Sequence, residues 1–379
     1  MSTVTTGRSP CWHEPTPTES AGTTHVLDLA DCSRVPVEQI GGKALGLGRL
    51  LAHSLAVPPG FVVTTTAYRS WLREHGFDAR IAGLLAGAGD DLVELQETAD
   101  AIAATLNAAE LHSAPVDSAY ERLGVAGDVP VAVRSSATGE DSADASFAGA
   151  QDTHLWIRGA GEVRRHIVRC WASLFTPAAI SYRRRIGLDS ADAAMAVVVQ
   201  QMADATAAGV MFTLDPLTGD PSQITIESSL GLGVSLVGGE VTPDRFSVDK
   251  VTSEIRSRTL ADKPFADRLV DGSVQRVPVG AEEAAAPSLT DDEVIGLARI
   301  ARRVEAALGG PVDMEWAVGP GPTGPRHVHL LQARPETVWS ASRRSAAARP
   351  QPDVSTTSAL SRIAIGMRKN PPMTTGDRP

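Results

Sequence analysis

Cysteine is nearly absent: Cys11, Cys32 and Cys170 are the only three in 379 residues. They are too few and too scattered for a disulfide framework or a paired-thiolate zinc site, and they fit a reducing compartment. No apolar run is long enough to span a bilayer, and the Pro-, Thr- and Ser-containing start lacks the apolar stretch of a signal peptide. The expectation is a cytoplasmic chain with no membrane partner. Net positive charge is absent too. A formal charge of -10 argues against nucleic acid as a partner, because sequence-independent binding to phosphates needs clustered cations. It leaves room for a small anion held by a few local cations. Lysine is the scarcest charge: Lys43, Lys250, Lys263 and Lys369 are the whole complement.

What is present is ample for a folded core. The chain is 42% hydrophobic and 21% charged, and its length favours two packed lobes over one. Residues 1–24 and 341–379 are polar, Pro-containing segments expected to be disordered tails. Residues 25–192 read as a first lobe, with helices over 42–56, 90–121, 162–175 and 177–185 and short strands at 61–63 and 131–133. Residues 193–340 read as a second lobe. There the pattern changes to short strands at 194–200, 210–214, 224–228 and 245–248, then a helix over 291–308 and a hairpin of 312–318 with 327–333. Helices and strands segregate along the chain, which predicts an α+β fold rather than a βαβ array.

Three segments carry chemistry. Gly41-Gly42-Lys43-Ala44-Leu45-Gly46 puts flexible glycines before a helix whose first turn holds the informative lysine. From that segment alone, a solvated lysine at a helix start is the simpler reading, and the spacing is not that of a P-loop. Val131 to Asp141 delivers Arg134 from an apolar strand into a Ser-, Thr- and Gly-rich loop, where a guanidinium fork and backbone N–H groups can meet phosphate oxygens. An ordinary turn with Arg134 paired to Glu140 or Asp141 fits equally well. In the final hairpin, alternation places Asp313, Glu315 and Ala317 on one face, and Val328, Leu330, Gln332 and Arg334 on one face of the return strand. A turn at Thr323-Gly324 sets Glu315 opposite Gln332. That pairing offers a carboxylate and an amide oxygen to magnesium, or makes an exposed cross-strand pair.

These motifs, together with Ser146 to Thr153, Val197 to Met202, Gly209 to Pro216, Glu227 to Gly233, Asp313 to Trp316 and Leu331 to Pro335, resemble the phosphoenolpyruvate synthase, pyruvate phosphate dikinase and rifampin phosphotransferase family. The resemblance covers roughly residues 38–338, in the family's order. It implies a two-lobed ATP-grasp fold with ATP and Mg2+ between the lobes. By the same resemblance, Lys43, Arg134 and Arg334 correspond to phosphate-binding and catalytic positions, and Glu315 and Gln332 to magnesium ligands. Gly149 and Thr153 correspond to a phosphate-covering loop, with Gln200 and Glu227 near the nucleotide. Ala150 and Val234 depart from the Gln and Glu common at those places. Family members pass phosphate through a mobile histidine, yet none of the nine histidines here lies in a Gly-Gly-x-x-Ser-His motif. The resemblance therefore implies a split system, as in phenylphosphate synthase-like assemblies. In it, Mg-ATP phosphorylates a histidine on a separate carrier protein, AMP and phosphate are products, and an aromatic hydroxyl, pyruvate or another small molecule is the final acceptor. A direct small-molecule kinase and a non-catalytic nucleotide sensor are the alternatives.

Overall fold

The computed structural model describes residues 24–124, 128–137, 152–320, 326–336 and 339. All but Thr24 of the expected N-terminal tail, the whole expected C-terminal tail, Gly149, Ala150, the Thr138 to Asp141 part of the Ser-rich loop and the Thr323-Gly324 turn lie outside the described residues.

Two antiparallel sheets organise the chain. The first contains β1 (Val26–Asp28), β2 (Gly60–Val63), β3 (Val131–Ala137), β4 (Thr153–Ile157) and β5 (Met195–Gln201), in the order β1-β2-β5-β3-β4. The second is built from β6 (Ala207–Phe212), β7 (Gln223–Leu230), β8 (Asp244–Asp249) and β9 (Ile255–Thr259). After a separate hairpin of β10 (Phe265–Val270) and β11 (Ser273–Pro278), the chain returns to it with β12 (Val312–Gly319) and β13 (His327–Pro335). Its order is β13-β12-β6-β7-β8-β9. β5 lies between β2 and β3, so the chain changes sheets after Gln201 and not at the expected residue 193.

Helix α1 (Val37–Ala52) precedes β2, and α2 (Thr65–Glu74), α3 (Phe77–Gly87), α4 (Leu92–Asn107) and α5 (Ala114–Leu123) follow it. Helices α6 (Ala160–Ala172) and α7 (Pro177–Arg185) lie between β4 and β5. The short α8 (Val234–Val237) and α9 (Ala281–Ala285) and the long α10 (Asp291–Leu308) belong to the second half. Among the described residues, no helix is long and apolar enough to cross a membrane.

Local chemistry explains the clearest elements. Thr64 accepts from Ala67 N at 3.3 Å and starts α2. Thr176, with Pro177 after it, starts α7. Thr290 and Glu293 close a reciprocal capping box on α10, whose end is Gly309 in the left-handed region.

The Val-rich strands read as continuous apolar runs because both of their faces are covered. Phe61, Val63, Val197 and Val199 point into a core with α2 and α6, where the Trp71 and Trp171 rings sit 5.2 Å apart. The alternate residues Val62, Ala196 and Val198 point into a second core, shared with Ile40, Ala44 and Leu47 of α1 and with Met211, Ile226, Trp316 and α10. Helix α1 is thus packed where the two sheets meet. Two glycines make that possible. Gly41 has φ 73°, and a Cβ there would lie 2.1 Å from the Ser136 carbonyl oxygen. A Cβ on Gly46 would lie 2.4 Å from the Ala333 carbonyl oxygen of β13.

Candidate functional site

Register places the polar side chains of the second sheet. Glu315 pairs with Gln332 on one side, the pairing expected from the turn-based register, and with Val210 on the other; Val210 pairs with Glu227, and Glu227 with Arg245. Arg334 and Asp313 form the neighbouring pair, 3.4 Å apart between Nε and Oδ2. The expected face of Val328, Leu330, Gln332 and Arg334 does not survive. β13 carries an irregularity at Leu331, so that Gln332 opposes Glu315 while Leu330 opposes Trp316. The extra residue switches faces. Leu330 is buried in the core with Trp316, while Gln332 turns to the cleft side and meets Arg134.

Arg134 comes from the other sheet. On β3 it lies between Thr153 and Val198, and its side chain crosses to the second sheet. Nη1 donates to the Leu331 carbonyl at 2.8 Å; Nη2 donates to Glu315 Oε2 at 2.6 Å and to Gln332 Oε1 at 3.1 Å. Its Nε is buried with no hydrogen-bond partner. Glu140 and Asp141, the alternative partners read from the sequence, lie outside the described residues.

Lys43 is 4% exposed, although lysine is seldom buried. Its position follows from Ser136, whose hydroxyl donates to the Ile40 carbonyl at 2.8 Å and accepts from Ala44 N at 3.2 Å. These bonds tie the kink of α1 to β3 on either side of the lysine. Burial pushes the Glu315 carboxyl up, but the charge and hydrogen bond of Arg134, joined by the charges of Lys43 and Arg334, outweigh it and hold the group below its ordinary value. Three cations from two sheets and α1 therefore act on one carboxylate.

A cleft of about 390 Å³ opens between the sheets, within the range of small-molecule sites. Arg134 and Glu315 line one part of it. Following the strands from Glu315 to Ala317 and Ala208, and from Arg134 to Ala132, leads to a part walled by Ala203, Ala205, Leu232 and Val237. The cleft thus grades from charged to apolar. Thr153 and Gln200 also line it, and the Gln200 amide is held by Nε2 donating to the Pro58 carbonyl at 3.2 Å. Val234 stands at its edge, 46% exposed.

Glu227 does not line the cleft. It is fully buried, its Oε1 accepts from Arg245 Nε at 3.0 Å, and Oε2 has no partner. Burial holds its carboxyl above the ordinary value despite Arg245. The structure therefore joins Arg134, Glu315 and Gln332 by hydrogen bonds and places Arg134, Glu315, Thr153 and Gln200 along the cleft. Lys43, Arg334, Gln332 and Glu227 do not line it, Arg334 pairing with Asp313 and Glu227 lying one strand behind Val210. Ser136, Asp313 and the Leu331 carbonyl were not singled out by the sequence. Only Asp313 had a signal there, its alternation with Glu315.

The oxygen set fits magnesium better than a thiolate- or imidazole-binding metal. Among the described residues no group of three or more His, Cys, Asp or Glu side chains is positioned to hold a metal. Glu315 Oε2 and Gln332 Oε1 both accept from Arg134 Nη2, and a neighbouring carboxylate and amide oxygen are also the kind of pair that suits a cation taking its other oxygens from water and phosphate.

Residues 37–353 match the family described as pyruvate phosphate dikinase, AMP/ATP-binding domain. Among curated relatives, a phosphoenolpyruvate synthase from Aeropyrum pernix is 40% identical across 86% of this chain and 44% of its own length. A rifampicin phosphotransferase from Streptomyces sviceus is 38% identical across 83% of this chain and 36% of its own. A prodigiosin synthesizing transferase from Serratia marcescens is 41% identical across 83% and 33%. The chain spans less than half the length of these relatives. Its match is to their nucleotide-binding portion, and the chain belongs to the pyruvate phosphate dikinase AMP/ATP-binding domain family.

Proposed function

We propose that the chain is the ATP-binding part of a dikinase-type phosphotransferase with a two-lobed ATP-grasp arrangement, and that the accepting histidine belongs to a separate carrier protein. Adenosine takes the apolar part of the cleft, and the phosphates lie against Lys43, Arg134 and Arg334. Gly149 and Thr153 close over the phosphates, and Gln200 borders the nucleoside. The observation that carries this reading is a cleft between the sheets that has Arg134, bonded to Glu315 and Gln332, at one part and an apolar wall at the other.

Glu315 and Gln332 are the proposed ligands of Mg2+, which when bound neutralises charge developing on the phosphate oxygens. The unpartnered Nε of Arg134 gives the guanidinium a donor to turn toward a phosphate. Among the described residues no histidine lines the cleft, and the proposed nucleophile is the carrier's histidine. The carrier histidine takes the β-phosphoryl group, AMP leaves, and the γ-phosphate is released to water. The final acceptor is a small molecule, an aromatic hydroxyl, pyruvate or another metabolite; two of the relatives are named phosphoenolpyruvate synthase and rifampicin phosphotransferase.

Isothermal titration with Mg-ATP tests the binding half. Glu315→Ala is expected to weaken binding about tenfold or more, and Gln332→Ala less, because a carboxylate brings charge as well as an oxygen. Affinity and magnesium dependence unchanged in both variants would leave Glu315, Gln332 and Arg134 as a structural cluster only.

A further inference from the structure

The apolar wall of the cleft is held from outside by the β10–β11 hairpin. Residues 231–238 supply Leu232, Gly233, Val234, Val237 and Gly238 to the cleft, yet they contain only the four-residue α8. So short a helix does not hold its own shape in water. Asp267 of β10, 6% exposed, grips this segment at several points. Its carbonyl accepts from Leu232 N at 2.8 Å, beside a bridge to Gly231. Its carboxylate accepts from Ser235 N at 3.1 Å and from the Ser235 hydroxyl. Arg276 of β11 completes the grip, donating to Asp267 Oδ1 at 3.2 Å, to Ser235 Oγ at 2.5 Å and to Glu240 at 2.6 Å. Gly231 has φ 72°, and a Cβ there would lie 2.3 Å from the Asp267 carbonyl oxygen, so the approach depends on glycine. On its other side, β11 lies against β4, the strand that brings Thr153 and Leu155 to the cleft from the first sheet. Asp267, Arg276 and Glu240 do not themselves line the cleft.

We propose that this hairpin is a clasp setting the nucleoside-side wall, with Asp267 as its positioning residue: it governs affinity for the adenosine part of ATP and leaves the phosphate end untouched. The proposal rests on the ATP-binding reading above. A carboxylate that caps a short helix and fixes a turn acts on wall position. The phosphate-end groups Lys43, Arg134 and Arg334 sit on other elements and share none of its bonds.

The test is calorimetric titration of the folded wild-type chain and of Asp267→Ala, Asp267→Asn and Arg276→Ala with two probes, Mg-ATP and magnesium tripolyphosphate, with melting curves recorded alongside. Asp267→Ala is expected to lose about tenfold in Mg-ATP affinity while tripolyphosphate affinity stays within about twofold. Asp267→Asn, which keeps an acceptor for Ser235, should recover much of the loss, and the half-exposed Arg276→Ala should cost about threefold. If Asp267→Ala does not fold, Asp267→Asn and Arg276→Ala carry the same contrast at smaller size. Unchanged Mg-ATP affinity in the folded variants, or equal loss for both probes, overturns the clasp. Failure of the wild type to bind Mg-ATP overturns the nucleotide reading instead.

Discussion

Arg134 is the residue on which the two sheets meet. A guanidinium that simultaneously reaches a carbonyl, an amide oxygen and a carboxylate uses its planar fork, and an ammonium cannot reproduce those directions. Arg134→Ala is therefore expected to reduce phosphoryl transfer by about a hundredfold or more, and Arg134→Lys to recover only part of it. Single-turnover rates on variants with normal far-UV circular dichroism would measure this, and normal turnover in Arg134→Ala would remove the residue from the phosphate site. Glu315 has a pH signature of its own. Its carboxyl is held below its ordinary value, so its ion pair contributes stability above that value and loses it as pH falls through the depressed one. Acid titration of thermal stability should show this loss in the wild type and a flatter acid limb in Glu315→Gln.

At the scale of elements, α1 is placed by β3. Ser136→Ala leaves a buried carbonyl and a buried N–H without their partner and is expected to cost about 1–3 kcal/mol. Because Lys43 lies between the two anchored residues, transfer should fall further than stability explains; denaturant unfolding combined with rate measurements separates the two. Gly41→Ala should be worse, since it adds a clash to a backbone that favours glycine. The packing of α6 on β4 carries a second pH dependence. His154 and His166 meet edge to face at 4.7 Å. His166 Nδ1 donates to the Glu162 carbonyl at 2.9 Å while Arg169 donates to its Nε2 at 3.1 Å, an arrangement that needs the neutral ring. Burial first, with neighbouring positive charge, lowers both histidines. Protonation then favours the unfolded chain, and melting temperature should drop as pH falls from about 7 to about 5. His154→Leu should flatten that drop; an unchanged profile would mean that the pair plays no part in it.

Elements with strong local punctuation were legible in the sequence. α7 begins where Thr176 and Pro177 place it, and α10 begins and ends at Thr290 and Gly309. The pairing of Glu315 with Gln332 matches the register read from the expected Thr323-Gly324 turn. The extra residue at Leu331 was not legible, because a bulge changes which face a side chain takes without any marker in residue type. β4, β10 and β11 were missed: β10 and β11 carry exposed charged residues, and β4 lacks clean alternation, its Trp156 having a positive φ of 62°. The burial of Lys43 was also hidden, since it depends on Ser136, ninety-odd positions away in the chain.

For the whole molecule, the site is a property of the junction and not of either sheet. The first sheet contributes Arg134, Thr153 and Gln200, the second contributes Glu315, Gln332 and Arg334, and the helix between them contributes Lys43. In the proposed reading this junction holds the triphosphate of ATP and the accepting histidine comes from a separate carrier. The most direct measurement follows each phosphate of ATP labelled separately at the β and γ positions, with the chain alone and with a histidine-bearing carrier and candidate acceptor added. The account predicts little turnover by the chain alone and, with the carrier, β-label on its histidine, γ-label as free phosphate, and AMP. Robust transfer by the chain alone to a small acceptor, leaving ADP, would contradict it.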